Sequence, residues 1–517
     1  MKNTHVIIGT CILIAGIIHG CSRDRDKTRY PNILFCLSDD QSWMHTSIME
    51  ATELHTPAFD RVATEGVLFK NAYVSCPSCA PSRAAIITGQ DVYRLEEGGL
   101  LFGALPDKYK AFPMMLKEKG FHVGYTNKGY EPAKHNMEGY WSHNVLGRAY
   151  NVPLNNPPEG IRGVEYAASF RKFLEDRNTV NQPFFFWYGC FEPHRDYGDS
   201  LWAEAGINPD NIEVPGFLPD EPIVREDMAN YYYEIQWFDK HLERMLEILE
   251  NTGELDNTII IVTSDNGMPF PRAKATLYEY GTHVPLAVRW GNKVKGKRKV
   301  NDFIKNTDFA PTILEALNMN IPEEISGKSF LNVLLSDKEG MVDEDRNILV
   351  TAYERHLYSR PGGLPYPVRS LRKDNWIYIK NYEPNRWPMG SPAFKAPFVG
   401  YYGDTDNSPS KTFMLENKDN FNYSTLFNLA FQKRPGEELY NLDSDPYQLH
   451  NLADEPLNKN IKKELEQELN RYLEQTDDPR VQGKSPWDNF PFFWGNYPER
   501  FKRPVEERDT SINGILQ

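Results

Sequence analysis

Two pairs of oxygen-bearing residues each follow a short apolar run. Asn32-Ile33-Leu34-Phe35-Cys36-Leu37 leads into Ser38-Asp39-Asp40-Gln41, and Asn257-Thr258-Ile259-Ile260-Ile261-Val262-Thr263 leads into Ser264-Asp265-Asn266-Gly267. Continuous apolar runs of this length read as strands covered on both faces of a parallel sheet. Open α/β sheets bind their ligands beyond the carboxyl ends of such strands. One Asp-Asp pair is more commonly a solvated turn; its recurrence at a second strand end points to a site. Asp39, Asp40, Asp265 and Asn266 form an all-oxygen set, which selects a hard cation. Three carboxylates and a neutral amide suit Ca2+, with Mg2+ as the alternative. A third run, Phe184-Phe185-Phe186-Trp187-Tyr188-Gly189-Cys190, leads to Glu192-Pro193-His194 and puts an imidazole, a proton donor, at another strand end.

Between these runs lies Cys79-Ala80-Pro81-Ser82-Arg83, continuing Ala84-Ala85-Ile86-Ile87-Thr88-Gly89. Pro81 and Ser82 are helix-opening residues, so a helix is expected from Arg83 to the break at Gly89. A group at that helix mouth feels the positive end of the dipole, which suits an oxyanion, and Arg83 adds a fixed charge. Read structurally, Cys79 is a buried cysteine before a capped helix.

The eleven-residue stretch resembles the core motif of the sulfatase family, Cys-x-Pro-Ser-Arg followed by four residues and Thr-Gly. Cys76 lacks the proline and arginine at the required offsets. The resemblance implies that Cys79 is oxidised to 3-oxoalanine (formylglycine) by a formylglycine-generating or anaerobic sulfatase-maturating enzyme. One hydroxyl of the hydrated aldehyde then attacks the sulfur of a sulfate ester, and the other expels the sulfate. The resemblance further implies that residue 79 joins the cation's shell, and that Arg83, Lys128 and Lys274 hold the sulfate. It assigns to His194 the protonation of the leaving group. Many relatives carry a histidine two positions after the Lys128 equivalent, where this chain has Tyr130.

The closest resemblance is to the N-sulfoglucosamine sulfohydrolase-like branch of bacterial polysaccharide sulfatases. It is carried by Met268-Pro269-Phe270-Pro271-Arg272, Tyr366-Pro367-Val368-Arg369-Ser370-Leu371-Arg372 and Asp478-Pro479-Arg480-Val481. Arg272, Glu354, Arg355, His356, Arg369 and Arg372 are candidates for gripping an anionic sugar; read singly, each is a surface charge or a domain-interface residue. The expected activity is removal of sulfate from a sulfated carbohydrate, an algal glycan such as ulvan or a heparan-type glycosaminoglycan. The rival readings are a phosphonate or phosphodiester hydrolase using the same aldehyde, and a surface lipoprotein that binds glycan without turnover.

The elements that position these residues follow from length and pattern. A chain of 517 residues exceeds one small core, so a large and a small domain are expected. The resemblance implies an alkaline-phosphatase-like α/β fold: a large mixed, mainly parallel sheet sandwiched by helices over 32–345. A smaller C-terminal α+β domain over 346–517 then carries a small antiparallel sheet and a final helix. The net charge of -14 argues against nucleic acid as a partner and requires a local cluster of positive groups to draw in an anion. Residues 1–20 read as a signal peptide with the apolar run Val6 to Ile18. Ile18-His19-Gly20-Cys21 resembles a bacterial lipoprotein cleavage box, with Cys21 acylated and 21–31 as a tether. The expectation is an exported bacterial protein, periplasmic or on the outer membrane or cell surface, touching membrane only through its lipid. Cys36, Cys76 and Cys190 are too scattered for a disulfide framework.

Overall fold

The run 32–38 forms the strand β1 (Asn32–Ser38), with all seven residues buried. Seven further strands join it: β2 (Val67–Tyr73), β3 (His122–Asn127), β4 (Arg148–Ala149), β5 (Phe184–Gly189), β6 (Thr258–Ser264), β7 (His283–Arg289) and β8 (Arg298–Lys305). Their order across the sheet is β4-β3-β5-β1-β6-β7-β2-β8. Only β7 runs antiparallel to its neighbours, β6 and β2; the other pairings are parallel. The computed structural model describes residues 30–135, 137–141, 145–396 and 399–493, so the expected signal peptide and Cys21 lie outside the described residues.

Why the central strands read as continuous apolar runs is plain from their two faces. Side chains alternate across a strand. Ile33, Phe35 and Leu37, with Phe185, Trp187, Ile259 and Ile261, share a cluster with Ala84 and Ile87 of the helix Cys79–Thr88 and with Phe309 and Ile313 of the helix Phe309–Ala316. Leu34, Cys36, Phe184, Phe186, Ile260 and Val262 pack on the opposite face. Their partners come from the helices Pro57–Glu65, Tyr166–Glu175 and Pro222–Asn251. Each such fully buried side chain contributes about 1.5–3 kcal/mol, and both faces must be apolar to collect it.

Two helix starts differ from the sequence reading. The helix bearing the core motif begins at Cys79, with Ser78 in the cap position, so Pro81 and Ser82 lie inside its first turn. Ser78 makes no side-chain cap bond; its Oγ meets His356 Nδ1 at 2.8 Å instead. The long helix, which the apolar spacing of Met228, Ile235, Leu242 and Leu249 predicts from Glu226, starts four residues earlier at Pro222, because proline's missing N–H costs nothing in a first turn.

The chain leaves the large sheet after Lys305 and enters a second one at Ile348. Here β9 (Ile348–Tyr353), β10 (Val368–Lys373), β11 (Trp376–Asn381) and β12 (Glu437–Asn441) pair antiparallel in the order β12-β11-β10-β9. The helix Lys459–Gln475 lays Leu465, Leu469 and Leu473 into a cluster with Leu371, Ile377, Ile379 and Leu439. Both sheets belong to one compact unit beginning at Pro31. No helix among the described residues is long and apolar enough to cross a membrane. Cys36, Cys76, Cys79 and Cys190 are buried free thiols.

Candidate active site

Strand register brings the site together. Ser38 of β1 lies opposite Ser264 of β6, Leu37 opposite Gly189 of β5, and Gly189 opposite Asn127 of β3. Asp39-Asp40, Asp265-Asn266, Lys128 and the Glu192-Pro193-His194 turn therefore leave the sheet at one level. Asp39 N–H donates to the Glu192 carbonyl and Asp265 N–H to the Ser38 carbonyl, both at 3.2 Å. Gly189 is required there, since a Cβ would stand 1.8 Å from the Lys128 carbonyl oxygen. Asp40 is held at φ 74, a left-handed conformation that costs a non-glycine residue about 1–3 kcal/mol. Its N–H donates to Asp265 Oδ1 at 3.1 Å, which helps to hold that turn.

Cys79 arrives at the same point from its helix, with Sγ 3.4 Å from Asp39 Oδ1 and 3.9 Å from Asp40 Oδ1. One donor atom each from Asp39, Asp40, Cys79 and Asp265 lie within 4.8 Å of one another, all buried. Asn266 Nδ2 donates to Asp40 Oδ1 at 2.5 Å, while its Oδ1 is buried without a hydrogen-bond partner among the described residues. A buried acceptor left unpaired beside three carboxylates fits a cation's missing ligand. Electrostatics agree. Burial, opposed by Lys274 and reinforced by Asp39 and Asp265, pushes the Asp40 carboxyl up to about 8. Burial and Asp39 also raise Asp265, against Arg83. Burial works against ionised Asp39 as well, yet Lys128, His194 and Arg83 hold its carboxyl well below the usual range. A cation among these oxygens would relieve the repulsion.

Positive charge closes the other side. Arg83 Nε donates to Asp265 Oδ2 at 2.7 Å and its Nη1 to the carbonyls of Lys128 and Gly129, while the buried Nη2 stands 3.9 Å from Asp39 Oδ1 and has no hydrogen-bond partner among the described residues. Lys128 Nζ is paired with Asp39. Lys274 Nζ bridges Asp40 Oδ2 at 2.7 Å and Asp406 Oδ2 at 2.9 Å. An acceptor and a donor that lack hydrogen bonds, with two lysines nearby, suit a bound cation and a bound tetrahedral anion together. The thiol itself is a poor nucleophile here. Burial and then Asp39 push it well above its ordinary range, whereas a reactive cysteine needs a depressed one.

His194 Nδ1 lies 2.6 Å from the Arg195 carbonyl, which can only accept, so Nδ1 carries the hydrogen. Nε2 then faces the pocket, 3.9 Å from Asp40 Oδ2. Burial, followed by Lys274, lowers this imidazole to about 3, so it is neutral near pH 7.

The sequence reading missed Asp406. Its carboxylate stands with Asp40 and His194 inside a second group of donor atoms within 4.8 Å. Burial opposes its charge, but Lys274, His194 and His356 hold it well below the carboxylate range. Nothing in Asp404-Thr405-Asp406-Asn407 distinguishes it from a polar surface turn. Tyr130 does not stand in for the missing histidine: it is buried in the core and packs edge-on to His135, centroids 5.8 Å apart.

Of the candidates for sugar binding, only His356 reaches the site, through Ser78 and beside Lys274, which after burial lowers it to about 4. The arginines are used within the fold. Arg272 donates to the Leu429 and Gln448 carbonyls and lies over Tyr278. Arg355 donates to the carbonyls of Gly363, Phe490 and Pro491. Arg372 meets Glu279 at 3.3 Å. Arg369 joins Asp478 at 2.5 Å and Glu354 at 2.8 Å, and Glu354 also takes Arg480. Arg369→Ala leaves two buried carboxylates short of a partner. It is expected to destabilise the protein by about 3–5 kcal/mol in denaturant titration, while the KM of the folded fraction stays unchanged.

The sequence model described as Sulfatase matches residues 31–319, and one described as N-sulphoglucosamine sulphohydrolase, C-terminal, matches 272–387. Human N-sulphoglucosamine sulphohydrolase is 26% identical over 498 residues, covering 88% of this chain and 92% of that one. An ulvan-active sulfatase of Formosa agariphila is 26% identical over 503 residues, covering 92% and 89%. A solved protein in complex with its substrate D-glucosamine-2-N,6-O-disulfate superposes with a TM-score of 0.62 at 20% identity, covering 88% of this chain and all of that one.

Proposed function

Since the chain belongs to the sulfatase family and is a sulfuric ester hydrolase, we propose that it removes sulfate from a sulfated polysaccharide or its oligosaccharides through a formylglycine at residue 79. The observation that carries this reading is the convergence of Asp39, Asp40, Asp265 and the unpaired Asn266 Oδ1 beside Cys79. Relatives named for N-sulphoglucosamine and for ulvan support a carbohydrate substrate and leave N- and O-sulfates both open. Ca2+ takes about six to eight oxygen donors, and these four residues with a sulfate oxygen and residue 79 would reach that range. Further parts of the proposal are a maturating enzyme that oxidises Cys79 and export with acylation at Cys21, supported by the apolar run Val6 to Ile18.

When bound, the cation supplies positive charge against the sulfate and a lowered pKa for a hydroxyl at residue 79. A hydrated aldehyde there offers two hydroxyls on one carbon, one to take the sulfur and one to expel it, so a hard displacement is divided in two. The chain's own residues do the rest. Arg83 Nη2 has no hydrogen bond of its own to give up, and Lys128 and Lys274 present ammonium groups where equatorial oxygen charge builds. His194, its Nδ1–H fixed on the Arg195 carbonyl, presents Nε2 to hold a proton, which the negative charge of a bound sulfate favours against burial and Lys274, and delivers it to the departing oxygen or nitrogen.

The test is desulfation of defined sulfated oligosaccharides alongside matched phosphate and phosphonate esters; hydrolysis of the phosphorus esters alone contradicts the proposal. His194→Ala gives a sharper check. Losing a general acid costs about 10^2–10^4-fold where the leaving group is a sugar alkoxide. An activated aryl sulfate needs no proton, so there the loss shrinks to a few-fold. Equal losses on both substrates would remove His194 from this role.

A further inference from the structure

The site holds one group that an anion-binding pocket should not want. Asp406 is a carboxylate whose side chain is only 14% exposed, set against Lys274 at 2.9 Å. Its Oδ2 accepts a hydrogen bond from Lys274 Nζ, and among the described residues Oδ1 has no hydrogen-bond partner. It is not a loose loop residue. Two positions before it, Asp404 accepts from the Leu357 N–H at 2.9 Å, Ser359 Oγ at 2.7 Å and Arg360 at 2.7 Å. Next to it, the Thr405 carbonyl accepts from Lys411 Nζ at 2.7 Å. Just beyond, Ser408 Oγ caps the helix Pro409–Glu416 by accepting the Lys411 N–H, and Ser410 Oγ donates to Asp227. Both flanks are pinned, so the Asp406 carboxylate is presented in a fixed place.

That place is beside His194, the proposed proton donor. Asp406, Asp40 and His194 each offer a polar atom within 4.8 Å of the others. If His194 meets the departing atom, the Asp406 carboxylate, with an oxygen within 4.8 Å of the imidazole, is placed to meet a substituent on the adjoining sugar carbon. A second sulfate or a carboxylate there would meet a buried like charge. A free hydroxyl or amino group would give Oδ1 the donor it lacks. Resting on the sulfatase reading above, we infer that Asp406 is a specificity residue that selects saccharides whose sulfated carbon is flanked by an unsubstituted hydroxyl or amine, and rejects vicinally disulfated ones.

The experiment measures kcat/KM for the matured enzyme on matched saccharides that share the sulfated position and differ only in whether the neighbouring hydroxyl is free or sulfated. Wild type is expected to favour the free hydroxyl by about 100-fold or more. Asp406→Ala removes both the acceptor and the repulsion, and the preference should fall at least about tenfold. Asp406→Asn keeps an acceptor without the charge, and should fall between. Both variants lose rate on every substrate because Lys274 loses a partner, so the ratio is the readout, with melting temperature verifying the fold. An active wild type whose ratio is unchanged in both variants overturns the inference and leaves Asp406 as an anchor for Lys274. A wild type that hydrolyses no sulfate ester overturns the sulfatase reading, and this inference with it.

Discussion

Cys79→Ala is expected to abolish turnover, by on the order of 10^6-fold, the scale of deleting a catalytic nucleophile. The fold should survive, because Cys79 opens a helix whose Ala84 and Ile87 carry the packing, and alanine is at home at that position. Cys79→Ser is the more informative variant. Serine Oγ can displace the sugar and take the sulfuryl group, while His194 gives the leaving atom its proton. The resulting sulfate ester has no second hydroxyl on the same carbon to expel sulfate, so the reaction stops after one turnover. Mass spectrometry of the peptide containing residue 79 should find a stable sulfate on the introduced serine after substrate is added. Sustained turnover by Cys79→Ser, or by a wild type in which residue 79 is wholly unmodified thiol, contradicts the proposed chemistry. The second outcome would also have to explain how a thiol raised by burial and Asp39 becomes reactive.

Removing the cation, or Asp265, is expected to cost about 10^3-fold or more, the several kcal/mol that a Lewis acid and its charge supply. Asp265 carries a double share, since Arg83 is tied to it at 2.7 Å. Asp265→Asn should therefore weaken cation binding and loosen the sulfate-facing arginine together. A readout independent of activity is available. At a hundredfold excess over its Kd, Ca2+ stabilises the wild type by about 2.7 kcal/mol, a rise in melting temperature that Asp265→Asn should lose. Proton linkage gives the sign with pH. Without a cation, burial and the neighbouring carboxylates hold Asp40 at about 8. Below that pH a proton competes for the site, so apparent cation affinity should rise toward pH 8 and then level off. Affinity independent of pH between 6 and 8 would mean that Asp40 is not a ligand.

The strands that build the site were legible in the sequence because both faces of the large sheet are covered, which turns each central strand into an unbroken apolar run. Ser38-Asp39-Asp40 and Ser264-Asp265-Asn266 announced themselves by following such runs. The helix start at Cys79 was not legible: Pro81 and Ser82 have the residue types of an N-terminus, but tertiary pairing of Ser78 with His356 moves the boundary back four residues from Arg83. The arginines of the second sheet misled for a related reason. Spacing shows that Arg369 and Arg372 are present, but their partners Asp478 and Glu279 lie about a hundred residues away, and pairing at that distance decides whether a charge is buried or offered. Asp406 was invisible for the same cause reversed: an ordinary polar turn acquires its role only when the fold sets it against Lys274, 132 residues earlier.

The central claim is that a cation sits among side chains delivered by separate strand ends, beside residue 79. Anomalous diffraction from crystals of the matured protein grown with Ca2+ tests it most directly. The account predicts a single strong peak bounded by Asp39, Asp40, Asp265 and Asn266, with an aldehyde or its hydrate, not a thiol, at residue 79 on the peak's open side. An empty cluster at millimolar Ca2+, or a peak elsewhere with these four residues paired only among themselves, would contradict it.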